Sequence, residues 1–217
     1  MIDFIWKPES AQFRIESNVH PHVEFEKANL FTSDDDGSTE YEVLNWLHST
    51  IRLLKPNFVL ETGAYHGLGT VAMAHACKLN GFGKIISIEK FDKYCSVTEE
   101  LLEKCNLKKY SEVYFSDSLK FLEKTKINFD IAFFDSETTI RAKECEICFE
   151  RNILQKLAVF HDTSKYRIDS ITPIKIQEQY RKDILKLSGH KKCSGFFESN
   201  LSRGFMALWL THQETMC

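Results

Sequence analysis

No run in the sequence approaches the roughly 18 consecutive apolar residues that a membrane span requires. The opening, MIDFIWKPES, reaches Lys7 and Pro8 after too few apolar residues for a signal-peptide core. Basic charge is not concentrated into a stripe that could track phosphates: 28 Lys and Arg are spread among 31 Asp and Glu, for a net charge of −3. Internal repeats and low-complexity tracts are missing too. These absences predict a cytoplasmic protein with neither membrane nor nucleic acid among its partners. The seven cysteines are odd in number and scattered, which speaks against a disulfide framework. The one CxxC, Cys145 and Cys148, has no second CxxC or His pair to complete a tetrahedral zinc site, so it reads as helix packing.

What remains is an ordinary globular composition, 43% hydrophobic and 27% charged, in a 217-residue chain suited to one domain with a small appendage. Residues 1–38 read as an N-terminal extension ending in the polar loop TSDDDGST, and 39–217 as the main domain. Thr39 and Glu42 have capping-box spacing ahead of a helical stripe that stops before Pro56. Five segments rich in Val, Ile and Phe then read as strands: Phe58–Thr62, Lys84–Glu89, Glu112–Asp117, Phe129–Asp135 and Leu157–Asp162. Their near-continuous apolar runs, separated by helix-length segments, predict a doubly wound, mostly parallel Rossmann-like α/β sheet covered on both faces. Thr172 and Pro173 read as the N-cap and first residue of a further helix. GFFES and GFMALWL, with only NLSR between them, predict an antiparallel C-terminal hairpin that completes seven strands.

The first strand runs into VLETGAYHGLGT, where Gly63, Gly67 and Gly69 fall at the strand's carboxyl end, the ligand-binding edge of such sheets. Glycines let a ligand approach the backbone, but the spacing is GxxxGxG, not the GxGxxG that cradles a pyrophosphate. Glu61 would repel a pyrophosphate, yet it favours a cofactor carrying an ammonium and a sulfonium, as S-adenosylmethionine does. Glu89 closes the second strand 26 residues after Gly63, the position of a ribose-binding acid. Asp117 and Asp135 close the third and fourth, so four acids should border one crevice.

Over roughly residues 39–210 the chain resembles class I S-adenosylmethionine-dependent methyltransferases. The helix before the first strand, the ETGAYHGLGT turn and the FFDSE and FHDTS strand ends are similar to small-molecule O-methyltransferases and the cephalosporin hydroxylase-like group. The resemblance implies that Glu61 and Gly63 lie beside the methionine part of the cofactor, that Glu89 bonds the ribose hydroxyls, and that Asp117 with Ser118 lies near the adenine. Tyr65, Gly67 and Asp135 complete the expected cofactor contacts. Many members have glycine where this chain has Tyr65, which is then placed to cover the cofactor.

The chemistry is expected at Asp135, His161 and Asp162, which end the neighbouring fourth and fifth strands. Two carboxylates and an imidazole suit Mg2+ or Mn2+, which would lower an acceptor hydroxyl's pKa; alternatively His161 acts as the base, oriented by a carboxylate. Catechol-type relatives carry an acid and Asn after the fifth strand and DADK after the fourth, where this chain has Asp162, Thr163 and DSET. The expected function is methyl transfer to a hydroxyl, less readily an amine, of a small molecule. An NAD-dependent oxidoreductase, whose fingerprint is missing, and a Rossmann-like binding module without turnover are the alternatives. The N-terminal segment is a candidate dimerisation element, making a homodimer the expected assembly.

Overall fold

Each core strand presents successive apolar side chains to opposite faces, and both faces are covered. In the computed structural model, which describes residues 13–14, 31–35, 37–167 and 172–211, the strands are β1 (Phe58–Thr62), β2 (Lys84–Glu89), β3 (Ser111–Phe115), β4 (Phe129–Phe134), β5 (Leu154–His161), β6 (Cys193–Ser199) and β7 (Phe205–Leu210). They form one sheet in the order β3-β2-β1-β4-β5-β7-β6, parallel from β3 to β5, with β7 antiparallel to β5 and β6. Val59, Ile85, Ile131, Phe133 and Val159 pack under helices α1 (Tyr41–Leu54), α2 (Leu68–Asn80) and α3 (Asp92–Lys104). Leu60, Ile86, Ala132, Phe134 and Phe160 pack on the other face under α4 (Ser118–Lys124), α5 (Arg141–Glu150) and α6 (Ile174–Ser188). This is the expected doubly wound architecture, with the strand order reversing between β1 and β4. The Val, Leu, Ile and Phe side chains buried at this sheet contribute about 1.5–3 kcal/mol each.

The element boundaries depart from the sequence reading in informative places. The Thr39/Glu42 capping box does not form: Glu40 is the N-cap of α1 without a side-chain cap bond, and the Thr39 hydroxyl donates instead to Asp135 Oδ2 at 2.7 Å. The other end of α1 follows the rule, since Lys55 takes a left-handed conformation and donates its N–H to Ile51 O just before Pro56. Strand β3 stops at Phe115, freeing Asp117 to cap α4 through Lys120 N. Pro173 is the N-cap of α6, which begins one residue later than expected.

Within the N-terminal segment, Phe13–Arg14 pairs antiparallel with Thr32–Ser33. Most of residues 1–38, and with them the dimerisation expectation, lie outside the described residues. In the stretch that is described, Gly37 and Ser38 line a cavity at the carboxyl ends of the strands. Among the described residues, no helix is long and apolar enough to cross a membrane.

Candidate active site

The carboxyl ends of β1, β2, β4 and β5 open onto a cavity of about 330 Å3. Its walls include Glu61, Gly63, Tyr65, Glu89, Asp117, Ser118 and Asp135, so seven of the eight expected cofactor residues meet at one place. Gly67 does not line it. With φ +82° it is the left-handed N-cap of α2, and a Cβ there would stand 2.9 Å from the Thr98 methyl of α3. Its role is helix packing. Gly69 lines the cavity instead, and a Cβ there would strike Glu61 Oε1. At Gly63, φ +84° and a Cβ position 2.5 Å from the Asp135 carbonyl leave room for no other residue.

Tyr65 holds a left-handed φ of 48°, a conformation that suits glycine and strains a tyrosine. The ring stacks on His66 and tilts against Tyr94, forming an aromatic wall beneath Gly37. His66 is tied at 3.0 Å to Asp35, whose other oxygen accepts from the Gly37 and Ser38 amides, so the segment before α1 is fastened over the glycine turn. Across the mouth, Lys90 after β2 pairs with Glu137 after β4.

The acids of the β1–β2 side are held by neutral donors. Glu89 accepts the Tyr65 amide at 3.1 Å and the Phe91 amide at 2.9 Å, which fixes the carboxylate beside the turn. Glu61 is almost fully buried, and its Oε2 accepts the Thr70 and Ser87 hydroxyls at 2.5 and 2.6 Å. Burial pushes its carboxyl up to about 7 despite those hydroxyl bonds. Ser118 borders the cavity, but its hydroxyl donates to Glu144. The buried Glu144 on α5 also accepts from Thr62 at 2.8 Å and Ser136 at 2.9 Å, tying α5 to the ends of β1 and β4.

The β4–β5 side is ionic. Asp135, His161 and Asp162 do converge, with donor atoms within 4.8 Å of one another. His161, however, is wholly buried and does not reach the cavity wall: Nδ1 meets Asp135 Oδ1 at 3.0 Å and Nε2 meets Glu40 Oε2 at 2.5 Å. Burial alone would lower its pKa, but Asp162, Asp135 and Glu40 outweigh burial and raise it to about 9. Glu40 is correspondingly held down at about 2, burial being overcome chiefly by His161. With both nitrogens taken and the ring charged at neutral pH, His161 has no lone pair with which to act as the expected base.

Asp162 stands at a left-handed φ of 61° and is surrounded by guanidinium groups: Arg203 Nε at 2.8 Å, Arg167 Nη1 at 2.7 Å and Arg141 Nη1 at 3.2 Å. Although burial opposes ionisation, these arginines and His161 hold its carboxyl well below the usual range. Arg141 also pairs with Asp135 Oδ1 at 3.0 Å and donates to Ser136 O and His161 O, both at 2.7 Å. Mg2+ and Mn2+ prefer shells of oxygen ligands. Here Asp135 Oδ1 and both Asp162 oxygens face N–H donors, leaving only Asp135 Oδ2 with a hydroxyl partner, and the set as it stands does not fit the divalent ion expected from the sequence.

Glu40, Arg141, Glu144 and Arg203 escaped the sequence reading. Glu40 and Arg203 lie 163 residues apart and meet through the Arg203 amide and Glu40 Oε1 at 3.0 Å, and no local motif marks such a pair. Cys145 and Cys148 are buried free thiols on α5, with pKa values raised by burial, as expected of packing residues.

Residues 60–163 match the family model described as a methyltransferase domain. No curated protein matches the chain. Among solved structures, a methyltransferase of Podospora anserina with S-adenosylhomocysteine bound superposes with a TM-score of 0.71 at 14% identity, over 81% of each chain. The O-methyltransferase TomG of Streptomyces achromogenes, involved in tomaymycin synthesis and bound to S-adenosylmethionine, gives 0.68 at 17% identity, over 81% of this chain and 82% of its own. An O-methyltransferase of Bacillus cereus with S-adenosylhomocysteine gives 0.67 at 15% identity, over 82% of this chain and 84% of its own. Residues 60–163 are thus similar to a methyltransferase domain, and the chain shares its Rossmann-like fold with these solved methyltransferases.

Proposed function

We propose that the protein transfers the methyl group of S-adenosylmethionine to a hydroxyl of a small molecule. The observation that carries this reading is the division of one cavity into two chemically distinct walls, with glycines and neutrally held acids on the β1–β2 side and a buried ionic cluster on the β4–β5 side. The first wall suits the cofactor. Each Glu89 oxygen that accepts one amide keeps a second lone pair for a ribose hydroxyl. Glu61 lies beside the glycine turn, where an ammonium and a sulfonium would favour its ionised form.

The second wall suits the acceptor. Asp135 Oδ1 is held by His161 and Arg141, whereas Oδ2 accepts the neutral Thr39 hydroxyl and retains a lone pair at the cavity. That atom is the proposed acceptor of the hydroxyl proton. In an in-line displacement the acceptor oxygen forms the O–CH3 bond, the S–CH3 bond breaks with its electron pair going to sulfur, and the proton passes to Asp135. Alignment of oxygen, methyl and sulfur supplies most of the acceleration.

The test is incubation with methyl-labelled S-adenosylmethionine and matched sets of small phenols, alcohols and amines. Label on the hydroxyl compounds, lost in Asp135→Ala with S-adenosylhomocysteine still bound, is the expected result. Label on amines alone would overturn the hydroxyl assignment.

A further inference from the structure

The candidate metal ligands of this chain surround a cation that the chain itself supplies. Arg141 is the first residue of α5, and its guanidinium reaches back over the end of the sheet to lie between the carboxylates of Asp135 and Asp162. It is almost wholly buried, and every one of its nitrogens is engaged: Nε with Ser136 O, Nη1 with His161 O and Asp162, Nη2 with Asp162 and Asp135. Tyr180 fixes the same carbonyl by donating its hydroxyl to His161 O at 2.8 Å, and its ring lies under the guanidinium at 5.7 Å. Apart from Asp135 Oδ2, which accepts the Thr39 hydroxyl, the remaining ligand positions are taken as well. Arg203 and Arg167 meet Asp162 Oδ1, and the ring nitrogens of His161 face Asp135 and Glu40.

We propose that Arg141 is the resident cation of this site, that it occupies the position of a divalent metal, and that methyl transfer by this protein is metal-independent. A guanidinium is planar, permanently charged and able to hold two carboxylates through a fixed fork of donors. It therefore gives Asp135 a fixed orientation at the cavity without the exchangeable coordination positions a hydrated metal would bring. Arg141 also borders the cavity, so its positive charge lies on the side from which an acceptor oxygen would approach. It acts through Asp135 and the local field, as a positioning residue.

The inference rests on the methyltransferase reading only where it concerns methyl transfer; metal binding and cofactor binding are read separately. The experiment takes the full-length protein, freed of trace metal with a chelator and titrated with Mn2+, the free ion being followed by electron paramagnetic resonance. The wild-type protein is expected to bind no stoichiometric Mn2+, to show no thermal shift with Mn2+ or Mg2+, and to bind S-adenosylhomocysteine equally well with and without EDTA. Arg141→Ala, which opens the space between the two carboxylates, is expected to gain Mn2+ affinity at least tenfold over wild type, whereas Arg141→Lys is not. One tightly bound Mn2+ per wild-type chain would overturn the proposal, and so would an Arg141→Ala protein that folds but gains no affinity. If that variant is insoluble, the wild-type titration decides. Loss of S-adenosylhomocysteine binding by the wild type would instead count against the methyltransferase reading.

Discussion

The two walls of the cavity are built on different principles. The β1–β2 wall takes its shape from backbone and neutral donors: a glycine turn at positive φ and acids held by amides and hydroxyls, all within 26 residues in sequence. The β4–β5 wall takes its shape from side-chain charge: Glu40, Asp135, Arg141, Asp162 and Arg203 come together from α1, two strand ends, α5 and the β6–β7 hairpin. The contrast fits a division of labour. Under the proposed function, the backbone-built wall would receive the cofactor and the wall of long-range ionic pairs would face the acceptor.

The largest expected break of this contrast is on the ionic side. Glu40→Ala removes the partner of His161 Nε2, of the Ser202 hydroxyl and of the Arg203 amide, leaving buried charge uncompensated. Stability should fall by about 3–5 kcal/mol, as read from chemical denaturation. A loss below about 1 kcal/mol would show that the network is not a structural element.

On the backbone side, Gly63→Ala places a Cβ 2.5 Å from the Asp135 carbonyl at φ +84°, and should cost about 2–3 kcal/mol in the same assay. Glu89→Ala leaves the Tyr65 and Phe91 amides without their acceptor and removes the proposed ribose contact. Calorimetry should show S-adenosylhomocysteine binding weakened tenfold or more, about 1.4 kcal/mol, with the melting temperature changing less than in Glu40→Ala.

A smaller effect separates the walls by pH. The Glu61 carboxyl, ordinarily near 4.5, is raised to about 7 by burial, so the folded state holds a proton that the unfolded state has released. Its contribution to stability is present below about pH 4.5 and is lost as pH rises through about 7. His161, ordinarily near 6.5, contributes stability below that value that is lost as pH rises through about 9. Glu61→Gln should therefore flatten the melting-temperature profile in the lower window and leave the upper one intact. Unchanged slopes in the lower window would remove Glu61 as their source. A cationic cofactor favours the ionised acid, so its binding near pH 7 should release protons, measurable as a dependence of calorimetric heat on the buffer.

The sequence is most legible where local chemistry dictates structure. β-branched runs mark the strands, positive-φ glycines mark the turn, and acids at strand ends mark the crevice, because each signal is contained within a few residues. The convergence of His161 and Asp162 with Asp135 at the end of β5 is also legible, but their other partners are not. A histidine at a strand end reads equally as a base or as a buried ion-pair member, and the choice is made by Glu40, 121 residues away. Thr39 shows the same limit: its spacing to Glu42 satisfies the capping-box pattern, but Asp135 lies within reach and takes the hydroxyl. Gly67 fits the motif and serves α3 packing instead, since sequence spacing does not report which side of a turn faces a ligand.

The most direct test of the account is a titration of the wild-type protein with S-adenosylhomocysteine and, in parallel, with NAD(H). The account predicts one S-adenosylhomocysteine per chain, with stabilisation of about 2.7 kcal/mol at a hundred times the dissociation constant, and no comparable effect of the dinucleotide. Stabilisation by NAD(H) with none from S-adenosylhomocysteine would contradict it.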